Sequence, residues 1–494
     1  MVTHYHNFVN GKWLQGSGSE QVKNINPATS ELIGTYNEST IEDLNKAVEA
    51  AVTAQKQWRL MPAPARGEHL FRVGELLRKK KEYLAQLLTS EMGKVIDEAR
   101  GEVQEAIDMA YFMGGEGRRL VGQTVPSELP NKQAMSMRVP IGVAGLITPW
   151  NFPIAIASWK IFPALVSGNT VIWKPAPDTP ALAYEFVKLF EEAGIPKGVV
   201  NLVFGSGTTV GAALVNHPDI DIISFTGSSE VGSEIASRCG KHFKRVSLEM
   251  GGKNAIIVMD DADLDLAVDG ILWSAFGTAG QRCTACSRLI VHKAIKEELE
   301  QRLLTRIKEL KIGNGLDPTV HIGPVINAKA LKKIQDYIEI GKHEGARLLC
   351  GGHTISDSDF QNGYFFEPTL FTDVNRSMRI AHEEIFGPVL SILPISSLDE
   401  AIAINNEVNY GLSSAIFTND VNKTFIAMRD LNSGIVYINA GTIGAEIHLP
   451  FGGTKQTGNG HRDSGIAALD VFTEWKSVYV DYSQKLQRAQ IDNN

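Results

Sequence analysis

The spacing of hydrophobic residues changes near residue 139 and divides the chain into two kinds of segment. Before that point most apolar positions recur every three or four residues, which is typical of amphipathic helices. The first of these helices is predicted to begin at a capping box, Ser39-Thr40-Ile41-Glu42, and helical patterns continue from about residue 66 to 119. Residues 5 to 35 differ, since they predict short strands with a hairpin turn at Asn10-Gly11.

Beyond residue 139 continuous apolar runs alternate with amphipathic segments. Strands without polar alternation, separated by helices, are typical of a parallel sheet covered on both faces. The pattern therefore predicts an α/β fold with two doubly wound units, and the alternation in 471–482 predicts one further strand. The predicted buried strands are 139–147, 170–175, 199–203, 222–226 and 246–250, followed by a second series with 255–258, 288–291 and 389–392.

Polar residues and glycines follow the predicted strands at the same relative position. Asn151, Lys174, Gly207, Ser228 and Glu249 each lie at or just after the end of a strand. Ligands of doubly wound sheets bind at the carboxyl ends of the strands. We therefore expect these five residues to surround one binding cleft.

A cysteine, Cys283, ends the polar, glycine-bracketed turn Gly277-Thr278-Ala279-Gly280-Gln281-Arg282. Free cysteines are among the most buried residue types, so a structural role is the simpler interpretation. The turn is not an apolar run, however, and the adjacent arginine is expected to favour the thiolate, which is the nucleophilic form. Cys283 is therefore a candidate nucleophile that projects into a cleft.

Composition narrows the classes of function. A length of 494 residues predicts two to three domains, and the net charge of −8 offers no surface for nucleic acid. No apolar stretch approaches the roughly 18 residues of a membrane helix, and the N-terminal residues lack the pattern of a signal peptide. Four cysteines are too few for a disulfide framework, which predicts a cytoplasmic protein. Because Cys283-x-x-Cys286 lacks a second pair, no metal is expected.

Several candidate residues also allow a purely structural interpretation. The turn 205–211, spaced GxGxxxG, and the turn 227–232 could each bind a phosphate at a helix N-terminus or serve only close packing. Lys174 needs a partner at the end of an apolar strand, either a ribose or phosphate or a structural carboxylate. Glu249 is expected to have a raised pKa and to act as a general base, or else to form an ion pair with Lys253. The Asn151 amide could donate to an oxyanion or could only fix its turn.

Six ordered motifs together resemble the aldehyde dehydrogenase superfamily over essentially the whole chain. The resemblance implies that Cys283 attacks an aldehyde carbonyl, that the Asn151 amide and the Cys283 N–H hold the oxyanion, and that Glu249 activates the water that releases the carboxylic acid. Lys174 completes the implied catalytic set. The motifs are Pro149-Trp150-Asn151-Phe152-Pro153, Trp173-Lys174-Pro175, Phe225-Thr226-Gly227-Ser228, Leu248-Glu249-Met250-Gly251-Gly252-Lys253, Gly280-Gln281-Arg282-Cys283 and Glu383-Glu384-Ile385-Phe386-Gly387-Pro388.

The same resemblance implies a nicotinamide cofactor, two Rossmann-like domains and a small β flap. NAD is expected, and NADP is possible because Pro177 stands where many NAD-preferring members have a glutamate. The implied division is a cofactor-binding domain at 1–122 and 140–251, a catalytic domain at 252–450, and an oligomerisation segment at 123–139 and 465–494. That segment predicts a homo-oligomer, either a dimer or a tetramer. The implied cofactor contacts are Ile147, Thr148, Trp150, Lys174, Pro177, Gly207, Phe225, Gly227, Ser228, Glu249, Gly251, Glu384 and Phe386.

The substrate side resembles the antiquitin-like branch of the superfamily, the α-aminoadipic semialdehyde dehydrogenases. That resemblance implies a carboxylate-bearing semialdehyde, with Glu105 near its ammonium and with Arg282, Gly444 and Ala445 near its carboxylate. Broad-specificity aliphatic or aromatic enzymes and ketoglutaric semialdehyde enzymes resemble the chain nearly as closely. A CoA-acylating dehydrogenase and a non-catalytic binding protein on the same fold are further alternatives. The presence of Glu249 favours water over CoA as the acyl acceptor.

Overall fold

A computed structural model describes residues 3–357 and 360–492 of the chain. Residues 1–2, 358–359 and 493–494, which fall in the predicted domain segments, lie outside the described residues. The first elements are β1 (Thr3–Tyr5), β2 (Asn7–Val9), β3 (Lys12–Leu14), β4 (Gln21–Ile25), β5 (Leu32–Asn37), α1 (Ile41–Trp58), α2 (Ala63–Lys79), α3 (Lys81–Met92), α4 (Ile96–Glu116), β6 (Gln123–Pro126) and β7 (Lys132–Pro140).

Strands and helices then alternate as far as residue 249. These elements are β8 (Val143–Ile147), α5 (Ala155–Ser167), β9 (Thr170–Lys174), α6 (Pro180–Glu192), β10 (Val200–Leu202), a π-helical turn (Gly207–Gly211), α7 (Ala212–Asn216), β11 (Ile222–Thr226), α8 (Ser229–Gly240) and β12 (Arg245–Glu249).

The remaining elements build a second α/β unit and return to the first. They are β13 (Asn254–Val258), α9 (Leu264–Phe276), a 3₁₀ turn (Gly277–Gly280), β14 (Cys286–His292), α10 (Lys296–Ile307), α11 (Ala328–His343), β15 (Arg347–Cys350), β16 (Thr369–Thr372), α12 (Arg379–His382), β17 (Val389–Ile395), α13 (Leu398–Asn406), β18 (Tyr410–Gly411), β19 (Ser413–Phe417), α14 (Val421–Asp430), β20 (Ile435–Ile438), β21 (Thr454–Lys455), α15 (Ala468–Phe472) and β22 (Thr473–Asp481).

The first large sheet has the order β12-β11-β8-β9-β10-β2-β3. Strands β8 to β12 are parallel, and the β2–β3 hairpin is added antiparallel at one edge. Alternate residues of β8 enter different hydrophobic cores, Ala144 and Leu146 one of them, Val143 and Ile147 the other. Because both faces of the strand are covered, its sequence has no polar alternation. The predicted doubly wound α/β architecture is confirmed.

Local predictions were right in kind but wrong in several bounds. The turn at Asn10-Gly11 is confirmed, with φ of 51° and 72°. The capping box is formed by Thr40 and Asp43, not by Ser39 and Glu42. The predicted strand 139–147 is split at Gly142, where φ is 149° and an ideal Cβ would lie 2.0 Å from Asp221 Oδ2.

The second large sheet has the order β15-β16-β17-β14-β13-β19-β20. All its strand pairs except β15–β16 are parallel, and the three strands predicted in this region fall on β13, β14 and β17. The nucleophile candidate Cys283 lies between the 3₁₀ turn after α9 and the start of β14. This sheet therefore positions Cys283, while the first sheet positions the residues predicted at its strand ends, such as Asn151, Lys174 and Glu249.

A three-stranded sheet, in the order β22-β7-β6, extends from the first sheet. Strand β22 pairs antiparallel with the whole of β7, from Thr473–Pro140 to Asp481–Lys132. The strand predicted at 471–482 therefore begins later, because residues up to Phe472 belong to α15. Only Ile141 and Gly142 separate β7 from β8. The division into domains with the bounds given above stays a prediction. In the described part of the chain, no helix combines the length and apolarity needed to cross a bilayer.

Candidate active site

Cys283 lies in the wall between two cavities. The inner pocket encloses about 100 Å³ and is lined by Cys283, Glu249, Glu105, Arg282 and the Gly444-Ala445 backbone, among others. The outer groove encloses about 550 Å³ and is lined by residues that include Trp150, Asn151, Gly227, Ser228, Gly251, Cys283, Glu384 and Phe386. A group on the Cys283 sulphur can therefore face both a small molecule in the pocket and a larger one in the groove.

The loop that carries Cys283 is anchored by Asn254, the first residue of β13. Asn254 Nδ2 donates to the carbonyls of Cys283 (2.7 Å) and Ala285 (2.9 Å). Desolvation by the surrounding protein raises the pKa of the Cys283 thiol to about 12, and the nearby Glu384 and Glu249 add to this effect. Arg282 lowers the pKa as predicted, but less than burial raises it. The expected direction of the Arg282 effect is therefore confirmed, but burial outweighs it and the net pKa of the thiol is raised.

The Asn151 side chain joins the two loops that meet at the cysteine. It is 4% exposed, and its Nδ2 donates to the Gln281 carbonyl at 3.0 Å. A side-chain amide has two N–H donors, so this bond leaves the second one for a ligand oxygen. Both interpretations of Asn151, as a turn-fixing residue and as an oxyanion donor, are compatible with this geometry.

Glu249 ends β12 inside the inner pocket and is 3% exposed. Neither of its carboxylate oxygens has a hydrogen-bond partner among the residues described, and Lys253 Nζ likewise has none. The alternative of a Glu249–Lys253 ion pair is therefore wrong. Burial raises the pKa of Glu249 well above its ordinary value, and Asp463 raises it further. Gly452 allows this position, since an ideal Cβ there would lie 2.4 Å from Glu249 Oε1.

A buried ion pair close enough to Glu249 to affect its pKa was missed by the sequence analysis. Lys160 Nζ donates to Asp463 Oδ2 at 2.7 Å and to Ser224 Oγ at 2.9 Å, and Asp463 lines the inner pocket. Lys160 lowers the pKa of Glu249 while Asp463 raises it. The available signal was the single charge in α5, all of whose residues are buried.

Several predicted cofactor contacts line the outer groove. The Glu384 carboxylate accepts a hydrogen bond from the Gly252 N–H at 2.9 Å. Phe386 has a left-handed φ of 64°, and its ring meets Trp150 edge-on at 5.6 Å. Ser228 is the N-cap of α8, with Oγ accepting from the Val231 N–H at 3.4 Å. Gly227 and Gly251 also lie in this groove.

The other predicted contacts lie outside the groove lining. Lys174 is 3% exposed, its Nζ donates to the Pro175 carbonyl at 3.1 Å, and burial lowers its pKa to about 8. Glu38 and Asp178 oppose that shift, and Glu38 also accepts from the Ser206 N–H at 2.7 Å. Glu38 was not predicted. Pro177 and Gly207 are exposed, the Thr148 hydroxyl accepts from Trp173 Nε1 at 2.9 Å, and Ile147 and Phe225 are buried in the core of the sheet.

All four predicted substrate contacts, Glu105, Arg282, Gly444 and Ala445, line the inner pocket. Burial raises the pKa of Glu105 to about 8. The Arg282 guanidinium lies 5.1 Å from the Phe152 ring centroid, and its Nε donates to Thr278 Oγ1 at 2.9 Å. The inner pocket therefore combines a cation held on a ring face with a carboxyl group that is mostly neutral at pH 7.

Comparison with known proteins gives consistent matches. The sequence pattern of the aldehyde dehydrogenase family matches residues 13–478. The chain is 42% identical over 477 residues to the α-ketoglutaric semialdehyde dehydrogenase of Bacillus subtilis, covering 96% of this chain and 98% of that protein. It is 40% identical over 489 residues to aldehyde dehydrogenase family 7 member B4 of Arabidopsis thaliana, covering 98% of this chain and 94% of that protein. A betaine aldehyde dehydrogenase from Staphylococcus aureus, solved in complex with NAD⁺, superposes with a TM-score of 0.95 at 35% identity, covering 97% and 96%.

Proposed function

The chain belongs to the aldehyde dehydrogenase family, and from that premise we propose how its own residues oxidise an aldehyde to a carboxylic acid. The position of Cys283 in the wall shared by the inner pocket and the outer groove carries the proposal. A nucleophile at that point can hold an aldehyde carbon in the pocket while the groove holds a hydride acceptor. Glu249 lines the pocket and Asn151 lines the groove.

The outer groove fits a dinucleotide. Its volume of about 550 Å³ can hold a large ligand, and it offers an exposed helix N-terminus at Ser228 and an aromatic ring at Phe386. In the proposal Glu384 and Lys174 bind the two riboses, and Gly207 and Ser228 lie on the adenosine–pyrophosphate side. When bound, NAD supplies the acceptor for the hydride that leaves the aldehyde carbon.

The reaction begins with the neutral thiol of Cys283. The sulphur forms a bond to the aldehyde carbon as its proton passes to the Glu249 carboxylate, and the developing oxyanion is held by Asn151 Nδ2 and the Cys283 N–H. Loss of hydride from this carbon leaves a thioester on Cys283. Glu249 releases that proton to solvent and then takes one from water as the water oxygen bonds to the carbonyl carbon. The C–S bond breaks, the sulphur regains a proton from Glu249, and the acid leaves.

The inner pocket favours an aldehyde with a carboxylate at its far end. Arg282 supplies a cation, and the Gly444-Ala445 segment supplies backbone beside it. Because Glu105 is largely neutral when the pocket is empty, it does not repel such a substrate strongly, and it can ionise beside an ammonium group if one is present. Semialdehydes are therefore the proposed substrate class.

NAD is the proposed physiological cofactor despite the proline at 177. Glu38 and Asp178 both place negative charge near Lys174, as their effect on its pKa indicates. Glu38 is fixed there by the Ser206 N–H. A 2′-phosphate beside Lys174 would meet these carboxylates, whereas a ribose diol would not be repelled.

The chain is proposed to form homo-oligomers through the β22-β7-β6 sheet. Its edge strand β22 exposes large apolar side chains, with Trp475, Tyr479 and Val480 between 46% and 66% exposed. An uncovered edge of this kind promotes uncontrolled pairing, so a second copy of the chain is its proposed cover. Light scattering of the purified protein tests this, and a monodisperse monomer would contradict it.

The decisive experiment is a substrate panel with purified protein and NAD, following reduced cofactor and acid product. Semialdehydes are expected to have higher kcat/KM than propanal or benzaldehyde. Arg282→Ala should lower kcat/KM about tenfold for semialdehydes and much less for the neutral aldehydes. An equal loss on both classes would refute the carboxylate anchor, and absence of acid product without CoA would refute hydrolysis.

A further inference from the structure

Three glutamates of α4, at Glu98, Glu102 and Glu105, share one face of the helix because they are four and three residues apart. Glu105 lines the inner pocket, whereas the other two accept hydrogen bonds from backbone N–H groups and from one side chain each. We propose that Glu98 and Glu102 are positioning residues, which hold the nucleophile loop (277–283) and the oxyanion loop (149–154) in the geometry that the reaction needs. This inference rests on the proposed roles of Cys283 and Asn151.

The nucleophile loop contains backbone that needs an external restraint. Thr278 and Ala279 are consecutive non-glycine residues with a left-handed φ of 54° each, and both are buried. L residues rarely adopt this conformation, and they keep it only where the surroundings hold them. Glu98 supplies that restraint, since Oε1 accepts from the Thr278 N–H at 3.0 Å and Oε2 accepts from Thr278 Oγ1 at 2.6 Å.

The restraint extends from Thr278 toward the nucleophile. Thr278 Oγ1 accepts from Arg282 Nε at 2.9 Å, and the Thr278 carbonyl accepts from the Gln281 N–H at 3.1 Å. Arg282 Nη2 also lies 3.5 Å from Glu98 Oε2. The residues immediately before Cys283 are thus tied to Glu98 directly or through Thr278.

Glu102 holds the oxyanion loop at its C-terminal end and, through Lys94, at Asn151. Its Oε1 accepts from the N–H groups of Ile154 (3.0 Å) and Ala155 (3.2 Å), so it caps α5, which has no cap from its own N-cap side chain. Its Oε2 accepts from Lys94 Nζ at 2.5 Å, and the same Nζ donates to the Asn151 carbonyl at 2.9 Å. The two held loops meet at the Asn151–Gln281 bond.

The alternative is that these glutamates stabilise the fold without affecting the chemistry. Glu98→Ala distinguishes the two. We expect kcat to fall between about tenfold and a hundredfold, because the thiol is no longer held against the carbonyl carbon, while the Kd for NAD stays within about twofold. Asp108→Ala is the matched control, since Asp108 is exposed on the same helix and, among the described residues, its side chain accepts a bond from Gln104 of that helix. It should behave as wild type.

A rescue variant tests the mechanism of the effect. Glycine adopts the left-handed region without strain, so Ala279→Gly in the Glu98→Ala background should recover part of the lost kcat. Glu98→Gln, which keeps the size and one acceptor, covers the case in which the alanine variant does not fold, and it should lose less kcat at an unchanged Tm.

Two results would overturn the inference. One is a wild-type kcat, together with a wild-type rate of Cys283 alkylation by iodoacetamide, in a folded Glu98 variant. The other is a lower Tm with no change in kcat. Failure of the proposed function looks different, because then Cys283→Ala itself would retain activity whatever residue stands at 98.

Discussion

The inner pocket and the outer groove share a wall but differ in how their polar groups are satisfied. In the pocket, both oxygens of Glu249 lack a partner among the described residues, and the pKa values of Cys283 and Glu249 are both raised by burial. In the groove, Glu384 accepts from Gly252 and Ser228 accepts from Val231. The pocket therefore holds a buried carboxyl group without a hydrogen-bond partner, whereas these two polar groups of the groove already have partners.

This difference indicates which substitutions affect chemistry and which affect binding. A buried carboxyl group without a hydrogen-bond partner lowers the stability of the fold. Such groups are found mainly at functional sites, where their reactivity is used. A carboxylate that already accepts a hydrogen bond from the backbone changes its interactions little when a ligand binds. Changes in the pocket should therefore lower kcat by orders of magnitude, while changes around the groove and the adenosine end should alter cofactor affinity by small factors.

The largest effect is expected at Cys283, with Cys286 as its matched control. Both thiols have a pKa raised to about 12 by burial, but Cys286 lies in β14 and its sulphur donates to the Arg288 carbonyl. Cys283→Ser should lower kcat at least about a thousandfold. Cys286→Ser should remain within about threefold of wild type. Steady-state rates of reduced-cofactor formation check this, and comparable losses in the two variants would abolish the distinction between them.

The second effect is expected at Glu249. Glu249→Gln keeps the shape and removes the base, so steady-state kcat should fall about a hundredfold. Both steps lose their proton acceptor, but water is a weaker acid than the Cys283 thiol, so hydrolysis should be slowed more than thioester formation. A burst of reduced cofactor close to one equivalent per site should therefore precede the slow phase. Stopped-flow absorbance checks this. A burst-free trace with near-normal turnover would show that the unpaired carboxyl is not the base.

A third prediction concerns pH. Since the Cys283 pKa is raised to about 12, the thiolate fraction of the unliganded protein should rise about tenfold for each pH unit below that value. Alkylation of Cys283 by iodoacetamide, measured by mass spectrometry of its peptide in a Cys286→Ser background, should accelerate from pH 7 to 10 without a plateau. A free small-molecule thiol, which levels off near pH 9, is the control. A plateau near pH 7 would mean that burial does not raise the pKa of the Cys283 thiol.

The smallest effect is expected at the adenosine end. Glu38→Gln removes one of the two charges near Lys174, so it should improve the Kd for NADP by a factor of about three to five and leave that for NAD nearly unchanged. Fluorescence titration of both cofactors checks this without turnover. If both affinities fell together, Glu38 would be a structural support of the Ser206 turn.

The sequence was most informative where local chemistry and position coincide. The runs at 222–226 and 246–250 predicted β11 and β12 nearly to the residue, because strands buried on both faces have no polar interruptions. Asn151 and Glu249 were placed at one cleft from their positions at strand ends, whereas Cys283 was joined to them by the resemblance to the aldehyde dehydrogenase superfamily. The roles of all three remain proposals, but the common placement of Asn151 and Glu249 follows from the topology of the first sheet.

Other features depend on contacts between residues far apart in the chain. Lys160 meets Asp463 across 303 positions, and Glu98 meets Thr278 across 180. No local pattern specifies such pairs, although the lone charge in α5 indicated that Lys160 needed a partner. The thiol pKa was also misjudged, because Arg282 is visible beside Cys283 in the sequence whereas the surrounding desolvation is not.

The joint between β7 and β8 has a mechanical consequence. Ile141 and Gly142 alone connect the β22-β7-β6 sheet to β8, the strand that leads into Asn151. Asp221 binds the first residue of β8 twice. The Val143 N–H donates to the Asp221 carboxylate at 2.8 Å, and the Val143 carbonyl accepts from the Asp221 N–H at 3.0 Å. A connection this short, with hydrogen bonds at its end, leaves the three-stranded sheet little freedom to move relative to β8. If the chain forms the proposed oligomer through the β22-β7-β6 sheet, dissociation of a subunit is expected to disturb β8, and specific activity is then expected to fall on dilution before the protein unfolds.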